Sequence, residues 1–313
     1  MQALAEIGRC PVSGEALAWT LDGHLSSATG PVHPVHEGVA AFVTALHGDQ
    51  AAAQDFYDSF GWAGDDADVL GETRAFVDTR EVAMGYSRRA MARLGDRYFS
   101  GGGRYILDAG SGPLIDDDVR AFCGRFDTHI CVDLSARALR MARAKLGARG
   151  VCLQADLTNL PLRDGVVDAV TCNHVIYQLP AEIQAAAFRE LWRVLKPGGV
   201  AVAIYWWQPA KLPWRVERIA RLLRMRGPGE QQIDVPDLPH NPHAREWFEA
   251  QDWPFDYEFD IYRVVTNLFT RRYVSDDWRG RLFLGALERL QRWAPRYCGR
   301  HGVMPAIVIR KPA

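Results

Sequence analysis

Ile106-Leu107-Asp108-Ala109-Gly110-Ser111-Gly112-Pro113 is the stretch that decides the fold. An apolar run enters a glycine-rich turn, and a helical stretch opening on Asp116, Asp117 and Asp118 follows. Glycine lets a ligand approach such a turn closely, because no Cβ stands in the way. Outward from it, apolar strands alternate with amphipathic helices between Arg104 and Trp207: RYILDA, THICVDL, VCLQAD, VVDAVTCNHV and VAVAIYWW. That alternation predicts a parallel sheet with helices on both faces. A helix over 181–195 puts Ile183, Ala187, Phe188, Leu191, Trp192 and Leu195 on one face, and Lys196-Pro197-Gly198-Gly199 stops it. Two later strand candidates, FDYEFDIYRVV and PAIVIRK, flank a helix from Asp277 to Trp293. The expected fold class is α/β: a doubly wound, mostly parallel, seven-stranded sheet.

Glycine turns of this kind hold dinucleotides as well as S-adenosylmethionine (SAM), so the charges must separate the two. A dinucleotide sets its pyrophosphate on the turn and helix start, with a third glycine for close helix packing. Here the third position is Ile115, and Asp108 and three further aspartates flank the turn. Those acids repel a pyrophosphate and suit the sulfonium and ammonium of SAM. The acids of the first helical turn also complement the helix dipole, which leaves Asp108 as the informative one. Asp133 ends the second strand about 20 residues beyond the turn, where such folds bind ribose hydroxyls. Asp156 ends the third, placed to accept from an adenine amino group. A single such acid reads as a cap or loop residue. Three at the carboxyl ends of consecutive strands mark a ligand edge.

The 313 residues suffice for one large α/β domain with attachments. No apolar run approaches the ~20 residues that span a bilayer, and MQALAEIGRC is not a signal peptide. Six cysteines lie far apart without a CxxC pair, several in apolar runs, so disulfides are not expected and a cytoplasmic setting is. A net charge of −1 gives no general attraction to nucleic acid.

LDAGSGPL, CVDLSARAL, ADLTNLPLRDGVVDAVTCNHVIYQLP and ELWRVLKPGGVAVAIY together resemble a class I SAM-dependent methyltransferase from glycine loop to fifth strand. The resemblance covers about a third of the chain densely and the remainder loosely. It implies a SAM cofactor, with Asp108, Gly110, Ser111 and Gly112 near its methionine part. It implies Asp133 and Leu134 at the ribose, Asp156 and the Leu157 amide at the adenine, and Asn173 and His174 facing cofactor and substrate. It also implies an antiparallel hairpin at the sheet's end. Two positions depart from the family: Pro113 follows the glycines, and Gln178 stands where many relatives carry histidine. A glutamine cannot serve as a base.

Residues 9–43 resemble a degenerate form of the small zinc-ribbon-like module that activates some tRNA methyltransferases and precedes some bacterial methyltransferase domains. The pattern is RCPVSGEAL, a glycine-containing hairpin, then GPVHPVHEGVAAFV. Ser13 occupies the place of a second cysteine, and a zinc knuckle needs about four N/S ligands. Cys10, His24, His33 and His36 could improvise a site, but the favoured reading is a metal-free β module over 1–46. The methyltransferase domain then spans 47–313, with a helical lid over 47–103, core sheet over 104–207 and 254–313, and a substrate cap over 208–253. Tyr57, Phe60 and Trp62 are lid candidates over SAM, a plain core role being equally open. Trp206, Trp207, Trp214 and Trp247 are candidates to line an acceptor pocket, or core.

Methyl transfer is an in-line displacement for which positioning supplies much of the catalysis. An oxygen or protonated nitrogen acceptor must also lose a proton, and His174 is the first candidate base, with its ordinary pKa of ~6.5. Tyr177 is the second; a purely shaping role for His174 stands beside it. The expected function is methylation of an O or N nucleophile on a small molecule of secondary metabolism. The alternatives are an RNA methyltransferase, for which RVERIARLLRMR (215–226) is the one local arginine cluster, and a non-catalytic partner subunit of the same fold.

Overall fold

A computed structural model describes residues 3–43, 46, 48–63, 70–229 and 235–313. Strands β1 (Ala18–Trp19), β2 (Leu25–Ser26) and β3 (Val32–His33) form a small antiparallel sheet. Next come β4 (Val35–His36) and β5 (Val39–Ala41), then β6 (Gly103–Ala109), β7 (Phe126–Asp133), β8 (Gly150–Gln154), β9 (Val167–Asn173), β10 (Leu195–Ile204), β11 (Asp256–Arg263) and β12 (Met304–Arg310). These nine make one sheet in the order β11-β12-β10-β9-β6-β7-β8-β5-β4. The seven expected strands are all present, with β12 antiparallel between β10 and β11 as the hairpin.

The count is nine rather than seven because the amino-terminal segment supplies two edge strands. Val35-His36-Glu37-Gly38-Val39 turns back on itself, with positive φ at Glu37 (50°) and Gly38 (77°). Positive φ at both central residues is the hairpin turn whose twist matches that of the strands. The returning strand β5 then pairs parallel with β8, covering what would be an open edge.

The chain runs β6–β7–β8 to one side and β9–β10 to the other, so the strand order reverses between β6 and β9. Ligands of open α/β sheets gather outside the carboxyl ends at such a reversal. Alternation along β6 serves both layers. Leu107 joins Ile130, Val170 and Ala201 beneath Ala187, Phe188 and Leu191 of the helix Gln184–Val194. Ile106 joins Ala169, Val202 and Val308 beneath Met91 and Leu94 of the helix Glu81–Tyr98 and Phe122 of the helix Asp117–Cys123. The expected helix over 181–195 is shorter at both ends: a single 3-10 turn, Ala181–Ile183, precedes it, and Leu195 already pairs with Val167 in the sheet.

Candidate functional site

The glycine turn is built against the end of β7. Gly110 has φ +74°, and a Cβ there would meet Val175 Cγ2 at 2.3 Å, so conformation and space both require glycine. The amides of Gly110 and Ser111 donate to the Val132 carbonyl at 2.7 and 3.1 Å. Gly112 N–H donates to Asp133 Oδ2 at 2.8 Å, and Ser135 N–H to its Oδ1 at 2.9 Å. Asp133 thus ties the turn to the strand end, and its burial raises the carboxyl to about 6. Leu134 follows it. Asp156 lies just beyond β8, its Oδ1 accepting from Thr158 N–H at 2.8 Å, with Leu157 buried beside it. At the end of β9, Asn173 donates to Thr171 Oγ1 at 3.0 Å.

Asp108 is placed differently from the other candidates. Its side chain is buried, with Oδ2 3.4 Å from His129 Nε2, beneath the helix that follows the turn. Of the three acids at that helix start, Asp116 is the N-cap, accepting from Asp118 and Val119 N–H. Asp117 pairs with Arg120. Both roles belong to the helix and not to a ligand.

A covering segment lies over this edge: the helix Gly48–Phe56 and the wide turn Tyr57–Gly61. Gln50 Nε2 donates to Asp156 Oδ2 at 2.9 Å, Gln54 Nε2 to the Leu134 carbonyl at 2.9 Å, and Ser135 Oγ to Asp58. Tyr57 stacks on Trp62, ring centroids 4.9 Å apart, and its hydroxyl meets the Gln178 amide at 2.9 Å. The Trp62 ring edge lies 3.0 Å from where a Cβ on Gly112 would stand, and its buried Nε1 has no partner among the described residues. Phe60 packs on Phe56. Residues 64–69 of the expected lid and 230–234 of the expected cap lie outside the described residues.

Beyond β9, His174 sits in the left-handed region (φ +63°), and its N–H donates to the Ile204 carbonyl at 3.1 Å. Its ring lies edge-on to Tyr262 and Tyr177, at 5.5 and 6.3 Å between centroids. Burial, aided by the Arg263 charge, lowers His174 to about 3, so the imidazole is neutral but far weaker as a base than an ordinary histidine. Burial also pushes the Tyr177 phenol well up. Around Tyr177 stand Tyr205, Trp206 and His240, at 5.9, 6.0 and 5.3 Å. Of the four tryptophan candidates, only Trp206 joins this group. Trp207 is a core residue, 1 % exposed, bonded through Nε1 to the Gly299 carbonyl. Trp214 is 67 % exposed, and Trp247 stacks on His243.

One residue escapes a reading of the sequence. Glu72, in the helix Gly71–Phe76, is desolvated so that its carboxyl rises to about 7, and its charge bears on Tyr57 and Tyr177. Nothing in GETRAF distinguishes it from an ordinary helical glutamate.

In the amino-terminal module the four residues of the improvised metal set separate into two pairs. Cys10 Sγ meets His33 Nε2 at 3.3 Å, whereas His24 Nδ1 accepts from Val35 N–H and its ring faces His36. Ser13, in the place of the second cysteine, bonds Ser27 Oγ at 2.7 Å. Burial pushes the Cys10 thiol up, but hydrogen bonds with Ser13 and His33 outweigh it and bring the thiol to about 6.

Residues 107–203 match the family model described as a methyltransferase domain. Among solved structures, the chain is similar to a phosphoethanolamine N-methyltransferase of Haemonchus contortus (11 % identity, 85 % of this chain, 49 % of that one, TM-score 0.51). It is also similar to a chain of the complex between the Haloferax volcanii Trm112 methyltransferase activator and a methyltransferase (17 %, 83 % and 98 %, 0.48). A third is a methyltransferase of Bacillus halodurans (16 %, 71 % and 99 %, 0.40). No curated protein matches. At 11 % identity the Haemonchus structure speaks for the fold alone, while the family match speaks for the segment that carries the glycine turn and strands β7 to β10. Residues 107–203 therefore carry a methyltransferase domain, set in a sheet with the Rossmann-like fold of SAM-dependent methyltransferases.

Proposed function

We propose that this enzyme methylates an oxygen or nitrogen of a small molecule, one of secondary metabolism, in a pocket between the 208–253 region and the carboxyl ends of the sheet strands. The observation that carries the reading is the aromatic group formed by His174, Tyr177, Trp206, His240 and Tyr262 directly beyond β9. Aromatic walls with a few polar groups suit a small, partly apolar acceptor. A small acceptor also belongs to one neighbour of the fold, the Haemonchus enzyme crystallised with phosphoethanolamine. The six cysteines are free and buried, which suits a cytoplasmic setting. Among the described residues no helix is long and apolar enough to cross a membrane.

The residues present fit SAM. Gly110 and Gly112 let Val175 and Trp62 pack against the turn backbone, and Trp62 Nε1 is a buried donor beside the turn with no acceptor among the described residues. On this reading the Gly110–Gly112 backbone and Trp62 hold the methionine part, Asp133 and Leu134 the ribose, Asp156 and Leu157 the adenine, with Tyr57 and Asn173 closing the sides. The cofactor, when bound, supplies a methyl group on a sulfonium, already an activated electrophile. Everything else falls to the chain: excluding water, aligning the acceptor, and taking a proton from it. Glu72, held near 7, is the group suited to take that proton. Neutral His174 accepts a hydrogen bond from the acceptor and orients it, and Tyr177 shapes the wall.

The test is to incubate the protein and labelled SAM with metabolite extracts and, separately, with transcripts. Label entering small molecules supports the reading. Salt-sensitive label in RNA alone would overturn it, since RNA binding depends on many phosphate contacts.

A further inference from the structure

Asp108, Cys123 and His129 belong to one strand–helix–strand unit, and folding brings their ligand-type atoms within 4.8 Å of one another. All three are buried, at 2 %, 1 % and 4 % exposure. Two observations fit a bound cation between them. His129 Nε2 and Asp108 Oδ2 stand 3.4 Å apart, beyond the ~2.7–3.2 Å of an N–H···O bond, and Nε2 finds no hydrogen-bond partner among the described residues. A tetrahedral zinc with nitrogen and oxygen ligands at ~2.0–2.1 Å sets those ligands about 3.4 Å apart along the tetrahedron's edge. The second observation is a cavity of about 80 Å³ lined by Cys123 and His129, which leaves room for a fourth ligand.

We propose that Asp108, Cys123 and His129 bind a zinc-like divalent cation, with the fourth position open to the adjoining cavity. One thiolate, one carboxylate and one neutral imidazole balance a double positive charge, and thiolate with imidazole favours zinc over hard cations. Arg120, Lys145 and Arg149 rim the cavity. Arg120 is paired with Asp117, and Lys145 donates to the Pro113 and Leu114 carbonyls. Their charge selects water, hydroxide or a small anion as the fourth ligand. Burial, and then the Asp108 charge, holds the Cys123 thiol protonated without metal, so uptake releases a proton. The ion would pin Asp108 two residues before Gly110, fixing the strand that presents the glycine turn. The site does not depend on which cofactor that turn holds.

The full chain, stripped with chelator and dialysed, is titrated with cobalt(II) and with zinc. One equivalent is expected, with a thiolate-to-cobalt charge-transfer band and a rise in Tm on zinc addition. Cys123→Ser removes the band, His129→Gln weakens affinity about 100-fold, and Cys10→Ser leaves both unchanged. No uptake or no band in the unaltered chain overturns the proposal, whether or not the variants fold. A band that persists in Cys123→Ser or vanishes in Cys10→Ser overturns it equally.

Discussion

The Gln50 side-chain amide donates to Asp156 Oδ2 at 2.9 Å, across 106 residues of chain. The covering helix thereby places an N–H donor on the carboxylate that, in the proposed site, would accept from the adenine amino group. Asp156→Ala should weaken SAM binding about tenfold, the loss of one hydrogen bond to a charged group. Gln50→Ala, which frees the carboxylate, should tighten it about twofold. Isothermal titration of both variants distinguishes this from a purely structural pair, for which both substitutions would weaken SAM.

Glu72 gives the pH dependence its sign. The folded carboxyl stands near 7 against an ordinary 4.5. Between these values the folded protein keeps a proton that the unfolded chain has lost, so this group makes the fold less stable as pH rises through that window. Glu72→Gln should flatten denaturation midpoints between about pH 4.5 and 7. As the proposed base, Glu72 makes kcat rise with pH to a midpoint near 7. Glu72→Gln should lower kcat about 100-fold or more and remove that inflection. His174→Ala should leave it in place, because an imidazole near 3 does not titrate there. An inflection lost with His174 and kept without Glu72 would reverse the two roles.

Trp206 and Trp207 separate pocket from core. Trp207, 1 % exposed and bonded to Gly299, lies among Tyr205, Phe248 and Phe259. Trp207→Ala should cost about 3–5 kcal/mol of stability by chemical denaturation. Trp206→Ala should cost less and raise the acceptor KM.

The strand–turn–helix at 106–113 was readable because glycine placement and apolar period are local properties. The end of the helix expected over 181–195 was legible only roughly, since the helix stops at Val194 and Lys196–Gly199 already belong to β10. The edge strands were readable in principle from Glu37-Gly38 between valines, but their partner β8 lies more than a hundred residues away, and no local pattern names it. The split between Trp206 and Trp207 follows strand alternation carried past β10, which composition alone obscures. Site electrostatics were not legible. An ordinary pKa suggested His174 as the base, whereas burial and Arg263 move it far down and desolvation lifts Glu72 towards neutrality. Those shifts come from tertiary neighbours. The Asp108, Cys123 and His129 group is likewise invisible as a motif, since its members are spaced by a helix and not by a knuckle.

The central claim is that the turn at Gly110–Gly112 and the Asp133 carboxylate bind SAM. Calorimetric titration of the full chain with SAM, and separately with NAD, tests it most directly. One equivalent of SAM is expected, weakened by about 1.5–3 kcal/mol in Asp133→Ala through loss of hydrogen bonds to a charged group, with no heat from NAD. Tight NAD binding without SAM binding, or SAM affinity unchanged in Asp133→Ala, would contradict it.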